Sequence, residues 1–432
     1  MIKNQVYDTV YNKERYMGEK FDSMLFGTAY YDSKDLRYNN VYKFFLSNQQ
    51  LIEYKQYKKK LIENHDKRVV SVALKPFNSD YIFFVEGQCL TNLQITYSRM
   101  MQDDIHDFQS TVVERNFGDI LLARVYSELE GSMNIENVPT TRTRLEQIKK
   151  GSAPKDENEI IAKNMLDAIE FILSKPKFNK ENLYTLYNIL SKDCLDDNQK
   201  LNSGFYRNDS VYIGDYDGCP FEKIDECMDS LFAFVGDNLN SKTSDVKEYL
   251  PHICHYYILY IHPYFDYNGR TARMVSFWIS ILQDEFSTAP LFISEAINDS
   301  KKRYYDALSE TRDMENDMTY FLIYIMNTSI RYSLLYKNLN YICDEMLKEG
   351  VTLTNYEKVY IKKILLGAEE GYFDYKKFLS IANVDISKQA ALKALNKLVE
   401  YGILTSIIND KKAKLFKLND RFVKYHCGRE NN

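Results

Sequence analysis

The sequence lacks most features of membrane, secreted and fibrous proteins. Its 432 residues include only 1 Trp, 8 Pro and 16 Gly, too few Gly and Pro for a fibrous or long disordered chain. No apolar stretch approaches the roughly 18 residues of a membrane span. The first twenty residues contain charged and amide side chains throughout and lack the apolar run of a signal peptide. We therefore expect a globular cytoplasmic protein with no membrane partner.

The seven cysteines form no recognisable framework. Their number is odd, and no two follow a CxxC spacing: Cys89, Cys194, Cys219, Cys227, Cys254, Cys343 and Cys427. This pattern argues against a zinc ribbon and against a disulfide-stapled domain. A reducing compartment fits this usage, in agreement with a cytoplasmic location.

The chain also lacks a strong net charge. It has 56 Lys and Arg against 61 Asp and Glu, a net charge of −5. Residues 351–432 hold 15 basic and 9 acidic residues, a net of +6, which leaves −11 for the remainder. The mildly acidic net charge argues against a protein that coats nucleic acid over its whole surface, and the basic end suggests a separate C-terminal module.

Hydrophobic periodicity predicts a mainly α protein. Residues 1–95 form the exception and are predicted as an α+β region. It has a helical segment at Val41–Asn64 and short strands at Ser71–Leu74 and Tyr81–Val85. Residues 96–178 are predicted as a helical region, because apolar side chains recur at helical spacing in Ile120–Leu129 and Ile160–Leu173.

Residues 179–340 are predicted as a second helical region that contains one inserted hairpin. Turn residues flank a short β-branched and aromatic run within residues 202–217, which is typical of two strands joined by a turn. Helices are expected again from Phe221 to about Leu347, with breaks at Gly236–Ser244 and Asp284–Pro290.

Residues 345–425 are predicted as a winged-helix-like domain. Three short helices at Tyr356–Gly367, Tyr375–Ala382 and Ser387–Tyr401 precede two strands at Ile403–Ile408 and Ala413–Leu418. This order of three helices and a hairpin is that of a helix-turn-helix variant.

The stretch from His262 to Arg273 combines residues suited to phosphate chemistry. It reads His-Pro-Tyr-Phe-Asp-Tyr-Asn-Gly-Arg-Thr-Ala-Arg. Pro263 disfavours helical geometry at His262, and a new helix is expected to start after Asn268-Gly269. The exposed N–H groups of that helix start attract anions, and the Arg side chains at 270 and 273 share its first turn.

Each remaining polar side chain of the stretch has a matching role. Arg forks add charge-assisted bonds to phosphate oxygens, and the Asp266 carboxylate suits a divalent cation that bridges phosphates. His262 is a base for neutral pH. The alternative is structural, since a His before Pro often only ends a helix. However, two Arg in a first helical turn oppose the helix dipole unless an anion is bound.

These residues resemble the motif HPFx[DE]GNGRxxR of the Fic (Fido) family of protein adenylyltransferases, and the resemblance extends over roughly residues 100–330. The chain departs from the motif at two fixed positions, with Tyr264 for Phe and Tyr267 for Gly. The resemblance implies a Fic helical core with a β-hairpin flap, an N-terminal α+β extension and a C-terminal winged-helix-like domain.

The resemblance implies transfer of AMP from ATP to a Ser, Thr or Tyr hydroxyl of a protein. In that reaction His262 acts as the base, and Asp266 holds Mg²⁺. The residues implied in binding nucleotide phosphates are Asn268, Gly269, Arg270 and Arg273. Tyr304 and Tyr305 resemble a tyrosine pair beside the nucleotide, although core packing explains either side chain equally well. The residues implied in docking the target on the flap are Gly204, Arg207, Val211 and Ile213.

A second motif, Ser132-Met-Asn-Ile-Glu-Asn137, lies N-terminal to the first. Alone it means little, because a Ser followed one turn later by an acid is a common helix cap. Ahead of a Fic motif it resembles the inhibitory helix of class II Fic proteins. The resemblance implies that Glu136, with Ser132 and Asn137, competes with ATP for Arg273. It also leaves open a reverse reaction that removes AMP.

A function of another class stays open at this point. Lysines lie on or near the third C-terminal helix and the hairpin, at Lys388, Lys393, Lys397, Lys411, Lys412, Lys414 and Lys417. These lysines favour contact with phosphates. The alternative interpretation is therefore a DNA-binding regulator whose Fic part only senses nucleotide. Partner docking explains the same lysines. A nucleotide other than ATP, self-modification and a homodimer also stay open, the first because of Tyr267 and Arg312.

Overall fold

The computed structural model describes residues 31–32, 37–38, 48–100, 126, 128–138, 142–214, 216–241, 246–283, 293–367, 371–382, 386–410 and 412–422. The chain divides into two compact units, Met1–Ser329 and Ile330–Asn432.

Helices make up most of the described residues, which confirms the mainly α prediction. They are α1 (Asn48–Glu63), α2 (88–100), α3 (128–135), α4 (Arg142–Lys149), α5 (Glu157–Leu173), α6 (Lys180–Ser191), α7 (Phe221–Asn238), α8 (Leu250–Ile261), α9 (Asn268–Leu282), α10 (Ile293–Asp299), α11 (Lys301–Asp313), α12 (Thr319–Lys348), α13 (Asn355–Gly367), α14 (Tyr375–Ala382) and α15 (Lys388–Glu400).

The strands are short and pair in antiparallel hairpins. They are β1 (Tyr31–Asp32), β2 (Arg37–Tyr38), β3 (Val69–Ser71), β4 (Phe83–Val85), β5 (Tyr212–Ile213), β6 (Tyr216–Asp217), β7 (Leu404–Ile408) and β8 (Lys414–Leu418). The pairs are β1 with β2, β3 with β4, β5 with β6, and β7 with β8.

Two predicted boundaries differ from the observed ones. The N-terminal strand predicted at Ser71–Leu74 lies at Val69–Ser71 instead, opposite Phe83–Val85. The break predicted to start at Gly236 comes later, because α7 runs on to Asn238. Phe234 and Val235 continue its buried face, and this packing outweighs the weak helix propensity of one Gly.

Two other predictions concern parts of the chain that are not described. The predicted helix Ile120–Leu129 lies mostly outside the described residues, and so does the break at Asp284–Pro290.

Helices α8 and α9 form the centre of the first unit. Every residue of α8 except Leu259 is buried, and nearly every residue of α9 is buried as well. A helix that is buried on all sides must pack against neighbours around its whole circumference. Helix α9 packs on α8, α5 and α6, and its Trp278 side chain donates a hydrogen bond to the Pro176 carbonyl at 3.0 Å. The loop between α8 and α9 is therefore held at both ends by the core.

The second unit has its own core, formed by buried side chains of α12 to α15 and of the β7–β8 hairpin. The hairpin pairs Leu404 with Leu418 and Ile408 with Lys414. Phe373, ahead of α14, forms a further bridge to Phe416 on β8. The three helices and the hairpin follow one another in the order that the sequence predicted.

Among the residues that the structure describes, no helix is long and apolar enough to span a membrane.

Candidate active site

The loop from His262 to Tyr267 joins α8 to α9 through two left-handed residues. His262 ends α8 with φ 54°, and its N–H donates to the Ile258 carbonyl at 2.9 Å. Tyr267 precedes α9 with φ 66°. Non-glycine residues rarely adopt this conformation and do so mainly where surrounding contacts impose it. The break that Pro263 predicted thus lies at His262.

The imidazole of His262 is neutral at physiological pH. Burial, together with the positive charges of Arg207 and Arg312, lowers the pKa of His262 to about 4, although a hydrogen bond with the Leu259 carbonyl opposes this shift. A histidine with this pKa is protonated only in acid. The side chain can therefore accept a proton at neutral pH, as its assignment as the base requires.

Arg207 fixes the backbone around His262. Its Nε donates to the His262 carbonyl at 2.8 Å, and its backbone N–H donates to the Pro263 carbonyl at 3.0 Å. The remaining guanidinium nitrogens donate to the carbonyls of Asp209 and Cys219. The side chain is 2% exposed. Its guanidinium therefore stabilises the backbone around the loop, and the expectation that Arg207 docks a target stays a prediction.

The flap hairpin lies within residues 202–217, where the sequence predicted two strands joined by a turn. The strands are Tyr212–Ile213 and Tyr216–Asp217, at the C-terminal end of that range. Gly204 is an exposed turn residue with φ 83°. Val211 and Ile213 are half-buried. The second strand is anchored because the Tyr216 hydroxyl donates to the Tyr260 carbonyl at 3.0 Å.

Asn268 holds the loop together instead of facing outward. It is buried, its Nδ2 donates to the Tyr264 carbonyl at 2.8 Å, and its Oδ1 accepts from the Tyr264 N–H at 3.0 Å. Each end of the amide makes one hydrogen bond within the loop, so this side chain stabilises the loop geometry, and its contact with phosphate stays a prediction.

Arg270 is a buried cation with an unused donor. The residue is 7% exposed, and its Nε has no hydrogen-bond partner among the described residues. The nearest carboxylate oxygen, Asp266 Oδ1, lies 3.8 Å from Nη2. The Tyr267 ring covers one guanidinium face, with Cζ 3.5 Å from the ring centroid. The open edge of this guanidinium suits an anion.

Arg273 already holds a carboxylate. It is 1% exposed, and its Nη2 lies 2.8 Å from Glu136 Oε1. Its Nε donates to Ser132 Oγ at 2.9 Å. Burial alone would raise the pKa of Glu136, but the Arg273 charge and hydrogen bond outweigh it and hold that pKa below its usual value. Glu136 is therefore ionised, and the pairing uses one guanidinium nitrogen.

The same carboxylate lies at the start of α9. A Cβ placed on Gly269 would approach Glu136 Oε1 to 2.9 Å and Arg273 Nη1 to 3.3 Å. A side chain at this position would therefore displace the end of the Glu136 side chain, whereas the glycine leaves room for it. The helix start, with its free N–H groups, is thus covered by the Glu136 carboxylate.

Asp266 is a single carboxylate at the site entrance. Its side chain is 41% exposed. Oδ1 accepts from the Tyr267 N–H, and Oδ2 accepts from Gln199 Nε2 at 3.3 Å. Within the described residues no group of three or more His, Cys, Asp or Glu side chains is arranged to hold a metal. One carboxylate still fits Mg²⁺, because this ion is usually held by one or two carboxylates together with substrate phosphates and waters.

The predicted tyrosine pair is divided between core and surface. Tyr304 is 2% exposed, and its hydroxyl lies 2.8 Å from His255 Nε2. Tyr305 is 50% exposed, with its ring centroid 5.3 Å from that of Tyr304. Tyr304 is therefore a core residue, and Tyr305 is the member of the pair that is open to a ligand.

Sequence reasoning missed the contacts that hold α3 against α10. Both oxygens of the buried Glu128 carboxylate accept hydrogen bonds from Ser294, from its N–H at 3.0 Å and from its hydroxyl. Burial raises the pKa of Glu128 to about 7 against these bonds. Three residues further along α3, a Cβ added to Gly131 would lie 2.4 Å from the Glu295 backbone nitrogen, which shows how closely the two helices approach each other. No local signal marked these partners, because they lie more than 150 residues apart in the chain.

The end of α3 is tied down as well. Lys301 donates to the Ile135 carbonyl, and its Nζ lies 3.5 Å from Asn137 Oδ1. Asn137 is exposed and has φ 59°. The motif residues Ser132 and Glu136 therefore contact Arg273, whereas Asn137 contacts Lys301.

Comparison with known proteins gives one family match and several distant relatives. Residues 177–280 match the model of the Fic/DOC family. The chain is 25% identical over 227 residues to protein adenylyltransferase fic-1 of Caenorhabditis elegans, covering 50% of this chain and 44% of that protein. It is 25% identical over 273 residues to protein adenylyltransferase Fic of Aedes aegypti, covering 59% and 52%. The chain thus spans about half the length of these curated relatives.

Among solved structures, a Fic family protein from Desulfovibrio desulfuricans superposes with a TM-score of 0.47 at 15% identity. The match covers 80% of this chain and 98% of that one.

Proposed function

We propose that this chain, which carries a domain of the Fic/DOC family at residues 177–280, is an autoinhibited protein adenylyltransferase. It transfers AMP from ATP to a hydroxyl side chain of a protein. The observation that carries the proposal is the exchangeable acid at the start of α9. Glu136 occupies an anion site built from Arg273 and Gly269, beside a second buried cation at Arg270.

The anion site formed by Arg270, Arg273 and the start of α9, called the cradle below, suits phosphate better than any neutral ligand. Two guanidinium groups and a helix start converge there, and each favours negative charge. Arg270 keeps an unused Nε, and Arg273 keeps its charge in a site that is almost closed to water. Buried cations without an anion are unfavourable, so a polyphosphate stabilises this arrangement when Glu136 leaves.

His262 is the group that moves the proton. Its neutral imidazole takes the proton of the target hydroxyl while the hydroxyl oxygen attacks the α-phosphorus of ATP. A new P–O bond forms, the bond from the α-phosphorus to the oxygen bridging to the β-phosphate breaks, and pyrophosphate leaves with the negative charge. Arg207 keeps the imidazole in place through the His262 carbonyl. General base catalysis of this kind contributes about 10²–10⁴-fold.

Asp266 is the residue that would hold Mg²⁺. The ion, when bound with the nucleotide, neutralises charge on the phosphates. Positioning and charge stabilisation dominate transfer at phosphorus, and the two Arg side chains supply both in this chain. The flap presents its β5–β6 backbone beside the site, and an extended segment of a target pairs with such an edge without a sequence requirement.

Autoinhibition follows from the position of α3. As long as Glu136 holds Arg273, a nucleotide phosphate must either displace the acid or bind elsewhere. The contacts of Glu128 with Ser294 and of Lys301 with Ile135 keep the helix in this position. Activation therefore requires that α3 moves or that Glu136 is removed.

The DNA-binding alternative has less support from the second unit. Lys397 pairs with Glu357 at 2.7 Å, and Lys417 pairs with Asp420 at 2.8 Å. Lys414 donates to Asn396 Oδ1 at 2.6 Å. Lys411 lies outside the described residues. Lysines that are engaged within the protein are weaker phosphate ligands than free ones.

The experiment is an intact-mass measurement of the Glu136→Gly variant after incubation with Mg²⁺ and each nucleoside triphosphate in turn, alone and with added lysate proteins. A gain of one AMP on a protein with ATP supports the proposal. A gain of one phosphate indicates phosphoryl transfer, and a gain of another nucleotide changes the donor. If no protein gains any nucleotide, the proposal fails.

A further inference from the structure

We propose that Tyr267 positions Arg270 for phosphate binding by stacking its ring on the guanidinium. The inference rests on the proposed function and adds to it a residue where the motif has Gly. Three independent observations on Tyr267 support it: its backbone, its burial and its contact with Arg270.

The backbone of Tyr267 is in a conformation that glycine adopts more readily. Its φ of 66° and ψ of 7° lie in the left-handed region, where a bulky side chain is strained. The motif residue Gly meets this requirement without strain. A tyrosine persists here only because its surroundings determine the geometry, which points to a contact made by the side chain.

The ring is buried and held at both ends. It is 3% exposed. Its hydroxyl forms a hydrogen bond with the thiol of Cys194, and burial raises the pKa of Tyr267. Cys194 follows the end of α6 and accepts from Asn164 Nδ2 at 3.7 Å. The ring therefore has a fixed position between the end of α6 and the first turn of α9.

The fixed ring determines where Arg270 lies. The guanidinium carbon is 3.5 Å from the ring centroid, well within the roughly 6 Å range of a cation–π contact. The stack covers a face of the guanidinium and does not use the N–H donors of its edge. Since Nε is buried and has no partner among the described residues, it lacks the acceptor that a phosphate oxygen would supply. Without the ring, the side chain has a weak pairing with Asp266 at 3.8 Å to orient it.

The test compares an aromatic, a large aliphatic and no side chain at position 267. It uses the Glu136→Gly background, in which the Glu136 carboxylate no longer occupies the cradle. Tyr267→Phe keeps the ring and loses the Cys194 contact. Tyr267→Leu keeps a large apolar side chain with similar backbone strain and loses the aromatic face. Tyr267→Gly restores the motif residue. Affinity for Mg-ATP and for tripolyphosphate is measured by calorimetry, and a melting curve checks that each variant is folded.

The proposal predicts that Tyr267→Phe binds both ligands more tightly than the Leu and Gly variants, which lose on the order of tenfold in affinity. The loss must depend on Arg270. In an added Arg270→Ala background, Tyr267→Leu should therefore produce no further loss, whereas a merely structural role of the ring gives the same loss in both backgrounds.

Two results overturn the inference alone. If Tyr267→Gly binds ATP as tightly as the parent or more tightly, the ring obstructs the site or is irrelevant to it. If the effects of the Leu variant and of Arg270→Ala add, the ring does not act through Arg270. If the Glu136→Gly parent itself binds neither ligand, the proposed function fails, and the inference fails with it.

Discussion

Removing Glu136 should activate the protein, and the structure sets the size of the effect. The Glu136→Gly variant loses a carboxylate that lies 2.8 Å from a guanidinium of 1% exposure. A hydrogen bond to a charged group contributes about 1.5–3 kcal/mol. The Glu136 side chain is 31% exposed, so solvent screens the pair and the lower part of this range applies.

A nucleotide that needs Arg273 no longer has to break this contact in the variant. At about 1.4 kcal/mol for each tenfold, a gain of 1.5–2 kcal/mol predicts a rise in kcat/KM for AMP transfer of roughly 10–30-fold. The same change leaves a buried cation unpaired, which destabilises the folded state. Without ligand, the variant should have a lower melting temperature than the parent. Addition of ATP should raise the melting temperature of the variant by more than that of the parent.

The assay is the initial rate of label transfer from α-labelled ATP at several ATP concentrations. The control is Asn134→Gly, which weakens the same helix but leaves the ion pair in place. Glu136→Gln removes the charge at constant size and should activate as well. If Asn134→Gly activates as strongly as Glu136→Gly, helix loosening and not the carboxylate causes the effect. If neither Glu136 variant exceeds the parent, the reasoning about Arg273 is refuted.

Three further predictions concern the surroundings of the site. Gly131→Ala places a Cβ within 2.4 Å of Glu295 N, so it should disturb the docking of α3 and raise AMP transfer with Glu136 intact. The control is Gly236→Ala, whose Cβ meets nothing within 4 Å and which should not change the rate. Equal rates for the two variants would show that the docking of α3 is irrelevant. Arg207→Lys loses the guanidinium group and leaves a buried carbonyl without a hydrogen-bond donor. The free energy of unfolding, measured with denaturant, should therefore fall by about 1–3 kcal/mol, and kcat should fall as well. Unchanged stability would contradict the role given to the hydrogen bonds of Arg207. Because protonation inactivates the base and the pKa of His262 is lowered to about 4, kcat/KM in the Glu136→Gly background should stay level from pH 7 down to pH 5, whereas a fall centred near pH 6.5 would indicate an unshifted histidine.

The element pattern of this protein could be predicted well from local sequence. Helix periodicity and turn residues indicated α5 and α14 within a few residues of their observed limits. The position of His262 at a helix end followed from Pro263. These features depend on neighbours along the chain, so a single sequence contains the information.

Contacts of the site side chains with the backbone could not be predicted from the local sequence. Arg207 was recognised only as part of the flap sequence, and the burial of its guanidinium against the carbonyls of His262 and Cys219 required the structure. Asn268 was recognised as a motif residue, and its two hydrogen bonds with the backbone of Tyr264 also required the structure. In both cases the polar side chain satisfies backbone groups of a tight loop, and the sequence does not show which carbonyls lack partners.

The candidate inhibitory contact shows both sides of this limit. The pairing of Glu136 with Arg273 could be inferred because both residues lie in recognisable motifs. The pairing of Glu128 with Ser294 could not, because neither residue belongs to a motif and the contact joins segments far apart in the chain. Tyr267 was recognised as a departure from the motif, but its stacking on Arg270 required the structure.

On this proposal, the site transfers AMP from ATP to a protein hydroxyl, with His262 as the base that takes the proton of that hydroxyl. The most direct measurement is the incorporation of α-labelled phosphate into protein by Glu136→Gly and by the double variant Glu136→Gly, His262→Ala, with the chain itself and lysate proteins as acceptors. The account predicts label on Ser, Thr or Tyr with the first variant and none with the second, although both bind ATP. Equal labelling by the two variants, or no labelling by either, would contradict it.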